Sequence, residues 1–396
     1  MKLLSVDEAR RRMLAEIRPL PAEPIALPQA IGRVLAEPVS ARRDQPPFRA
    51  SAMDGWALRS ADAPGALKIV GESAAGHGYD RELGPGEAVR IFTGAAVPAG
   101  ADTVVIQENA TREGDLVRVP QSPPGANIRA AGGDFRAGAR LLEPGVRIDP
   151  WRLSLAASAG RAEVQAHRRP RVALISTGEE IVEAPFEPGP FQIYDSGAPA
   201  LKAMAEAWGA EARKLKPVRD ELEAVVAAIR DADADLVVTV GGASVGDHDL
   251  VRAAALALGF TPRVESVAVR PGKPTFFGIL GDGRRFLGLP GNPASAFVCA
   301  ELFLRPILSA FQGADPELRL ISARAASPVP ANGAREHWMR ARLAYRDGGL
   351  WAEAYRDQDS SLVSVFAGSD ALLRRASDAP AAGEGDLVEV LPLARA

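Results

Sequence analysis

Two loops of this sequence combine glycine, proline and charged residues in a way that suits binding of an oxyanion. The segment GGASVGDHD contains Gly242 and Ser244 and ends at Asp249. Its glycines permit close approach of a ligand to the main chain, whose N–H groups can hold a phosphate together with the Ser244 hydroxyl. The segment VRPGKP places Arg270 and Lys273 around a Pro-Gly turn. Either loop alone could be an ordinary turn, but together they favour an anion site.

The lysine in the second loop is unusual for this composition. The chain has 41 arginines and only 6 lysines. A lysine on a turn can simply be solvated, whereas beside a glycine-rich loop it can neutralise a phosphate.

A third loop, PGNPAS, contains Pro290, Asn292, Pro293 and Ser295. Asn292 suits the N-cap of a helix and Pro293 its first position, so this loop by itself indicates a helix start.

Carboxylates near these loops could add a metal ion. Glu180 in STGEE, Asp220 and Asp249 provide the oxygen ligands with which Mg²⁺ binds phosphates. Asp220 has a simpler explanation, because Glu223 follows three residues later and the pair could cap a helix. His248 lies between aspartates, but no nucleophile motif accompanies it to support a role as general base.

The pattern of apolar runs predicts how these loops come together. From Arg171 to about Ala310, runs such as VALIS and LVVTV alternate with helical segments, which indicates strands buried on both faces of a largely parallel sheet. Ligands of such sheets bind at the carboxyl ends of the strands. We therefore expect STGEE, GGASVGDHD and PGNPAS, which follow the runs VALIS, LVVTV and FLGL, to lie along one edge.

Other segments predict helical and β-rich regions. Ser5 and Glu8 fit the start of a first helix, and further helices are expected over about 28–35 and 149–159. Short β-like runs indicate an inserted β-domain, and a hairpin turned at Asp347-Gly348-Gly349 indicates a final one. The predicted fold is multidomain α/β plus β, with a helical linker region (1–43 and 138–168), an inserted β-rich domain (44–137), a central α/β domain (169–312) and a small C-terminal β-domain (313–396).

Composition excludes several classes of function. The net charge of −3 provides no general basic field for nucleic acid or anionic membranes. One cysteine cannot form an intramolecular disulfide, and the four histidines lack zinc-site spacing. The longest apolar stretch, 294–310, is interrupted by Glu301, Arg305 and Pro306, and no signal peptide is evident. We expect a cytoplasmic protein that does not bind membranes or nucleic acid.

Seven motifs in this order resemble the molybdopterin molybdenumtransferase family, the MoeA-type proteins related to the gephyrin E domain. They extend over nearly the whole chain and are SAMDGWA, RIFTGAAVPAGADTVVIQE, NIRAAGGDFRAG, STGEE, GGASVGDHD, VRPGKP and LPGNPAS. The resemblance implies a transferase that splits adenylylated molybdopterin, releases AMP and attaches molybdate to the dithiolene with Mg²⁺. It also implies a homodimer in which the inserted domain of one subunit faces the α/β domain of the other.

The resemblance also implies a set of site residues. Catalytic and metal-binding roles fall on Glu180, Asp220 and Asp249, with Lys273 as a catalytic cation. Molybdate binding falls on Lys273, Ser295, Arg340 and Ser360, which requires the C-terminal domain to fold back. The remaining substrate-binding positions are Asp54, Thr93, Asp134, Gly242, Ser244, Arg270, Pro290, Asn292 and Pro293. Asp54, Thr93 and Asp134 would reach across to the partner subunit's site.

This chain departs from the family pattern at four positions: Gly133, Gly197, Ser266 and Arg270. Arg270 keeps a positive charge but has a planar fork where lysine is common. Three alternatives therefore stay open: a non-catalytic molybdopterin- or nucleotide-binding scaffold, a tungsten-inserting paralogue and a molybdopterin adenylyltransferase. The long β-insert and the terminal β-domain argue against the last. Docking of another cofactor-assembly protein is also open.

Overall fold

The computed structural model describes residues 3–241 and 250–393. Two compact units form: a larger unit of Met1–Glu23, Gly32–Ala36 and Ala166–Ala396, and a smaller unit of Pro24–Ile31 and Glu37–Gln165. The helices are α1 (Val6–Ala15), α2 (Pro150–Ser158), α3 (Gly197–Ala207), α4 (Leu222–Arg230), α5 (Leu250–Ala257), α6 (Pro293–Cys299), α7 (Arg305–Phe311) and α8 (Val363–Ala367). The strands are β1 (Ala22–Ala26), β2 (Val39–Ser40), β3 (Ala50–Ser51), β4 (Gly55–Leu58), β5 (Gly65–Ser73), β6 (Glu87–Ile91), β7 (Thr103–Ile106), β8 (Thr111–Glu113), β9 (Leu116–Val119), β10 (Ile128–Arg129), β11 (Arg140–Leu142), β12 (Glu163–His167), β13 (Arg171–Ser176), β14 (Ile181–Val182), β15 (Ile193–Tyr194), β16 (Glu211–Lys214), β17 (Leu236–Val240), β18 (Thr261–Val264), β19 (Val269–Arg270), β20 (Phe276–Ile279), β21 (Arg285–Leu289), β22 (Ile321–Ala325), β23 (Glu336–Arg346), β24 (Gly349–Ala354), β25 (Ala371–Arg375) and β26 (Leu387–Pro392).

The central sheet of the larger unit has the order β16-β13-β17-β21-β20-β18. Its first four strands are parallel, β20 runs antiparallel to β21, and β18 runs antiparallel to β20 and so returns to the direction of the first four. Along β13, Val172 and Leu174 belong to the core on one face, whereas Ala173 and Ile175 belong to the core on the other. Burial of both faces confirms the α/β prediction and explains the uninterrupted apolar runs.

The first helix begins as predicted, since the Ser5 hydroxyl accepts a hydrogen bond from the Glu8 N–H at 3.2 Å. Its buried residues Val6, Ala9 and Met13 pack into the core of the larger unit, although the sequence assigned this helix to a linker region. The helix predicted over 28–35 is wrong, because the structure has only a 3-10 turn at Leu27–Gln29. Gly32 follows with φ +76°, a left-handed conformation that a continuing helix excludes.

One continuous helical stretch, Pro293–Phe311, is long and apolar enough to cross a membrane by composition, with a mean hydropathy of 1.5. It is 83% buried inside the protein, as a core helix is. A π-helical turn, Ala300–Leu304, joins α6 to α7, and buried Glu301 forms an ion pair with Arg305 at 3.1 Å. Protein side chains, rather than lipid, therefore surround this apolar surface.

Two further six-stranded sheets and four two-stranded sheets occur in the described residues. In the smaller unit the strand order is β7-β4-β6-β5-β9-β8. In the C-terminal sheet the strands β23-β24-β22-β26-β25 close into a ring, because β25 also pairs with β23. Strand β19 pairs in parallel with the start of β23. Arg346 pairs with Gly349 across the predicted hairpin turn, in which Asp347 and Gly348 both have positive φ.

Candidate active site

Three neighbouring strands end together at one edge of the central sheet. Beyond β13, the Thr177 N–H donates to the Val240 carbonyl of β17 at 3.2 Å. On the other side, the Val218 N–H donates to the Ser176 carbonyl at 2.9 Å. Glu180 follows Thr177 by three residues, Asp220 follows Val218 by two, and the segment 242–249 begins two residues after Val240. The topology thus brings two predicted carboxylates, and the start of the glycine-rich loop, to the same edge.

A cavity of about 680 Å³ opens at this edge. Predicted residues in its wall are Glu180, Pro290, Asn292, Pro293 and Ser295. Gly197, one of the departures from the family pattern, also lines it. A Cβ placed there would have its nearest contact at 3.5 Å, with Val240, so glycine leaves extra room in the cavity. The volume is typical of small-molecule sites.

Glu180 and Asp220 have carboxylates with no hydrogen bond or ion pair to any described residue. Helix α4 begins after Glu221, and no side chain caps it, so the capping explanation for Asp220 is wrong. Asp220 does not line the cavity.

Within residues 3–241 and 250–393 no three His, Cys, Asp or Glu side chains form a metal-binding group. Gly242, Ser244 and Asp249 lie outside the described residues, so a site that includes Asp249 stays a prediction. Oxygen-only donors of this kind fit a hard cation such as Mg²⁺.

The cavity also has an acidic residue that sequence reasoning missed. Asp195 lines it, and its side chain is 5% exposed. Lys214 donates to Asp195 at 3.2 Å and also to Glu183, and these bonds raise the pKa of Lys214 against the effect of burial. Asp195 further accepts from the Ala198 N–H at 3.1 Å. The pairing fixes the start of α3 at the cavity wall. The scarcity of lysine was the available signal for Lys214.

The C-terminal domain does fold back onto the α/β domain. Asn292 occupies the N-cap position of α6, but its side chain makes no cap and instead donates to the Ser360 hydroxyl at 2.8 Å. The Ala294 N–H donates to the Ser360 carbonyl at 3.2 Å. The Ser295 and Ser360 positions predicted to bind oxyanion are therefore neighbours.

A second cavity of about 700 Å³ adjoins the first and shares Gly272, Pro274 and Ser295 with it. Its wall contains five cationic side chains and two carboxylates: Arg270, Lys273, Arg335, Arg356, Arg375, Asp357 and Asp359. Ser360 lines it as well. No described residue pairs with the Lys273 ammonium group. A surplus of cations and hydroxyls favours an oxyanion with two or more negative charges.

Arg340 lies behind this wall and does not line it. The side chain is fully buried, and Nη2 donates to the Asp359 carbonyl at 2.9 Å. Nε and Nη1 have no partner in the structure. Burial lowers the pKa of Arg340 from its ordinary value. The structure thus places this predicted oxyanion ligand beside the second cavity, where it holds the loop that contains Ser360.

We expect Gly272→Ala to destabilise the larger unit by about 2–4 kcal/mol. Gly272 has φ +121°, and a Cβ there would lie 2.1 Å from the Cys299 sulfur, which is fully buried. Thermal unfolding should show the loss as a lower midpoint. Gly333→Ala is the matched control, because nothing lies within 4 Å of a Cβ at that position. Equal midpoints for the two variants would contradict the close packing of the Lys273 loop.

The smaller unit has a separate pair of predicted residues. The Asp54 Oδ1 atom accepts hydrogen bonds from the Thr93 N–H and hydroxyl, both at 2.7 Å. These bonds lower the pKa of Asp54, so the carboxylate is charged at neutral pH. Oδ2 makes no hydrogen bond to a described residue. Asp134 lines a cavity of about 890 Å³ in the same unit, together with Arg43 and Arg129.

The fold and its cavities define an α/β enzyme class with a ligand site at the carboxyl edge of a parallel sheet and an adjoining oxyanion site. Family models match the chain in three consecutive parts: the MoeA N-terminal region (domain I and II) over residues 4–160, the probable molybdopterin binding domain over 173–310 and the MoeA C-terminal region (domain IV) over 322–393.

Curated relatives agree with these matches. The chain is 37% identical to the molybdopterin molybdenumtransferase of Haemophilus influenzae over 78% of each chain. It is 34% identical to that of Bacillus subtilis over 93% of this chain and 89% of the relative. A crystal structure of the molybdopterin biosynthesis MoeA protein from Pyrococcus horikoshii superposes with a TM-score of 0.86 at 26% identity, covering 99% of this chain and 100% of that one. The chain belongs to the molybdopterin molybdenumtransferase family, whose members are enzymes of molybdenum cofactor biosynthesis.

Proposed function

We propose that this protein inserts molybdenum into adenylylated molybdopterin and releases AMP. The observation that carries the proposal is the pair of adjoining cavities that share Gly272, Pro274 and Ser295. The first cavity has the size for a pterin-nucleotide substrate. The second has the cations and hydroxyls that a tetrahedral dianion requires. A substrate in the first cavity and molybdate in the second would meet at the shared wall.

The bond chemistry sets the task of each group. Water adds to one phosphorus of the phosphoanhydride while the P–O bond to the other phosphate breaks, which yields AMP and the pterin monophosphate. Molybdate condenses with the two thiols of the dithiolene, and one oxo group leaves as water with their protons. Neither step changes an oxidation state. Lys273 would stabilise the negative charge that develops between phosphate and molybdate.

We further propose that Glu180, Asp220 and Asp249 hold Mg²⁺. The ion would neutralise the phosphoanhydride oxygens when it is bound. The carboxylates of Glu180 and Asp220, which lie at one sheet edge and pair with no described residue, support this assignment. Asp195 would bind no metal, because Lys214 already neutralises it.

A homodimer with a composite site is the third part of the proposal. The partly exposed Asp54 carboxylate, which Thr93 orients and whose Oδ2 has no hydrogen bond to a described residue, would complete the site of a partner subunit. A location in the cytoplasm stays a prediction.

Asp249→Ala tests the proposed function. The variant should release no AMP from adenylylated molybdopterin, because one Mg²⁺ ligand would be lost, while sedimentation should still show an intact dimer. Asp233→Ala is a matched control, since the Asp233 side chain is 67% exposed and pairs with Arg171, which begins β13 at the opposite end of the sheet. Normal AMP release by the Asp249 variant would remove this residue from the mechanism.

A further inference from the structure

Three residues of the second cavity form a row across neighbouring strands. Arg270 of β19 is the register partner of His337 in β23, and His337 is the partner of Arg375 in β25. Side chains of directly paired residues project from the same face of a sheet, about 5 Å apart. The imidazole of His337 therefore lies between two guanidinium groups. All three residues line the cavity.

Two further residues of the cavity wall lie next to this row. Met339, two positions along β23, has the same orientation as His337, because side chains alternate along a strand. Arg335 immediately precedes β23, and both residues line the cavity. Arg335 brings a further positive charge to the row. Like charges placed side by side are destabilising, so the arrangement is favourable only when an anion is bound between them.

His337 is the unusual member of this row. It is only 7% exposed, and its Nε2 atom has no hydrogen-bond partner among residues 3–241 and 250–393. Burial, reinforced by the charges of Arg270, Arg340 and Arg335, lowers the pKa of His337 to about 4. The ring is therefore neutral at pH 7 and has one N–H to donate. The Arg375 Nε atom is likewise buried without a partner.

The carboxylates of the cavity are occupied within their own loop. Asp359 accepts hydrogen bonds from the Ser361 N–H and hydroxyl at 2.8 and 2.7 Å. Asp357 accepts from the Asp359 N–H at 2.9 Å. Neither carboxylate forms an ion pair with a cation of the row in the described residues. Among the described residues, His337 Nε2 and Arg375 Nε thus lack hydrogen-bond partners, whereas Arg375 Nη2 donates to the Pro380 carbonyl. A bound oxyanion can supply the missing acceptors.

We propose that Arg335, His337 and Arg375 form an additional subsite for a tetrahedral dianion on the C-terminal domain side of the second cavity. The proposal rests on the proposed function, under which the dianion is molybdate. The phosphate of AMP has similar chemistry and is the other possible source. Molybdate is favoured because the subsite belongs to the second cavity, beyond the shared wall, and the nucleotide is assigned to the first. None of these three residues belongs to the oxyanion ligands expected from the sequence.

Equilibrium binding of molybdate to the purified full-length protein tests the subsite. His337→Phe keeps the ring shape but removes the N–H donor, and it should weaken molybdate binding about tenfold or more, as expected for a hydrogen bond to a charged group. His337→Gln retains an N–H donor and should stay within about threefold of the wild type. Arg375→Gln should also lose about tenfold. AMP binding should not change in any of the three variants.

Arg324→Gln is the matched control for Arg375. Arg324 lies in the same domain, bonds to the Gly385 carbonyl and does not line the cavity, so molybdate binding should match the wild type. Unfolding midpoints identify a variant that does not fold. If the His337→Phe variant is unfolded, the molybdate affinity of the Arg375→Gln variant tests the subsite instead.

The possible outcomes are distinguishable. A wild type that does not bind molybdate overturns the proposed oxyanion site and this subsite together. A wild type that binds, with folded His337→Phe and Arg375→Gln variants that bind equally well, overturns the subsite alone. A loss of AMP affinity without a loss of molybdate affinity also overturns it and assigns these donors to the nucleotide.

Discussion

Lys273→Gln should lower the rate of molybdenum insertion about 10²- to 10³-fold, the usual consequence of removing one preorganised donor to a developing negative charge. Lys273 lies on the turn between the two cavities and has no partner among the described residues. A charge without a partner beside Ser295 is available to the substrate. Glutamine keeps much of the volume but loses the charge. Single-turnover measurement of metal-loaded pterin is the appropriate readout.

The control for this prediction is Lys202→Gln. Lys202 lies on the exposed face of α3 and pairs with Glu206 at 2.6 Å, so its loss should leave the rate unchanged. Lys273→Arg should recover only part of the activity, because a planar guanidinium does not replace a compact ammonium group. A Lys273→Gln enzyme with the wild-type rate would show that the second cavity is not where the metal is transferred.

A mixture of Asp54→Ala and Asp249→Ala subunits should regain about a quarter of the wild-type activity, although each variant alone is expected to be nearly inactive. Random exchange makes half of the dimers hybrids, and each hybrid has one site in which both aspartates are present. The separation of Asp54, in the smaller unit, from Asp249, in the larger, makes such complementation possible. Activity is measured after subunit exchange is confirmed with two different affinity tags.

The control mixture is Asp54→Ala with Thr93→Ala. Both residues belong to one hydrogen-bonded pair in the smaller unit, so a hybrid dimer would have a defect in each site. No recovery is expected. Equal recovery in both mixtures, or none in either after complete exchange, would contradict a site composed of two subunits.

The sequence predicted secondary structure correctly where the spacing of apolar residues matches the burial of the element. Strand β13 is buried on both faces, so its apolar run predicted both the strand and the parallel sheet. From that sheet, the position of Glu180 and of the loop that begins at Pro290 at one edge followed. The turn at Asp347 and Gly348 was predictable because few residues other than these types accept positive φ at both positions. The prediction of a helix over 28–35 failed because the left-handed conformation of Gly32, rather than the apolar spacing, determines the local backbone.

The second cavity could not be predicted in full, since strand pairing that is distant in sequence creates it. Arg270, His337 and Arg375 become neighbours only through the register of β19, β23 and β25. Similarly, Asn292 suited a helix cap by its position, but its side chain bonds Ser360 of another domain. Asp195 lies between β15 and α3, Lys214 is the last residue of β16, and no motif links the two. Contacts of this kind depend on tertiary structure.

The most direct test of this account is to incubate the purified protein with adenylylated molybdopterin, Mg²⁺ and molybdate, and to follow AMP and metal-loaded pterin in the same samples. The account predicts that both products appear together in equal amounts, that neither appears without Mg²⁺, and that both are lost in the Lys273→Gln enzyme. Tight binding of the pterin nucleotide with neither product formed would contradict it and would indicate a binding protein instead.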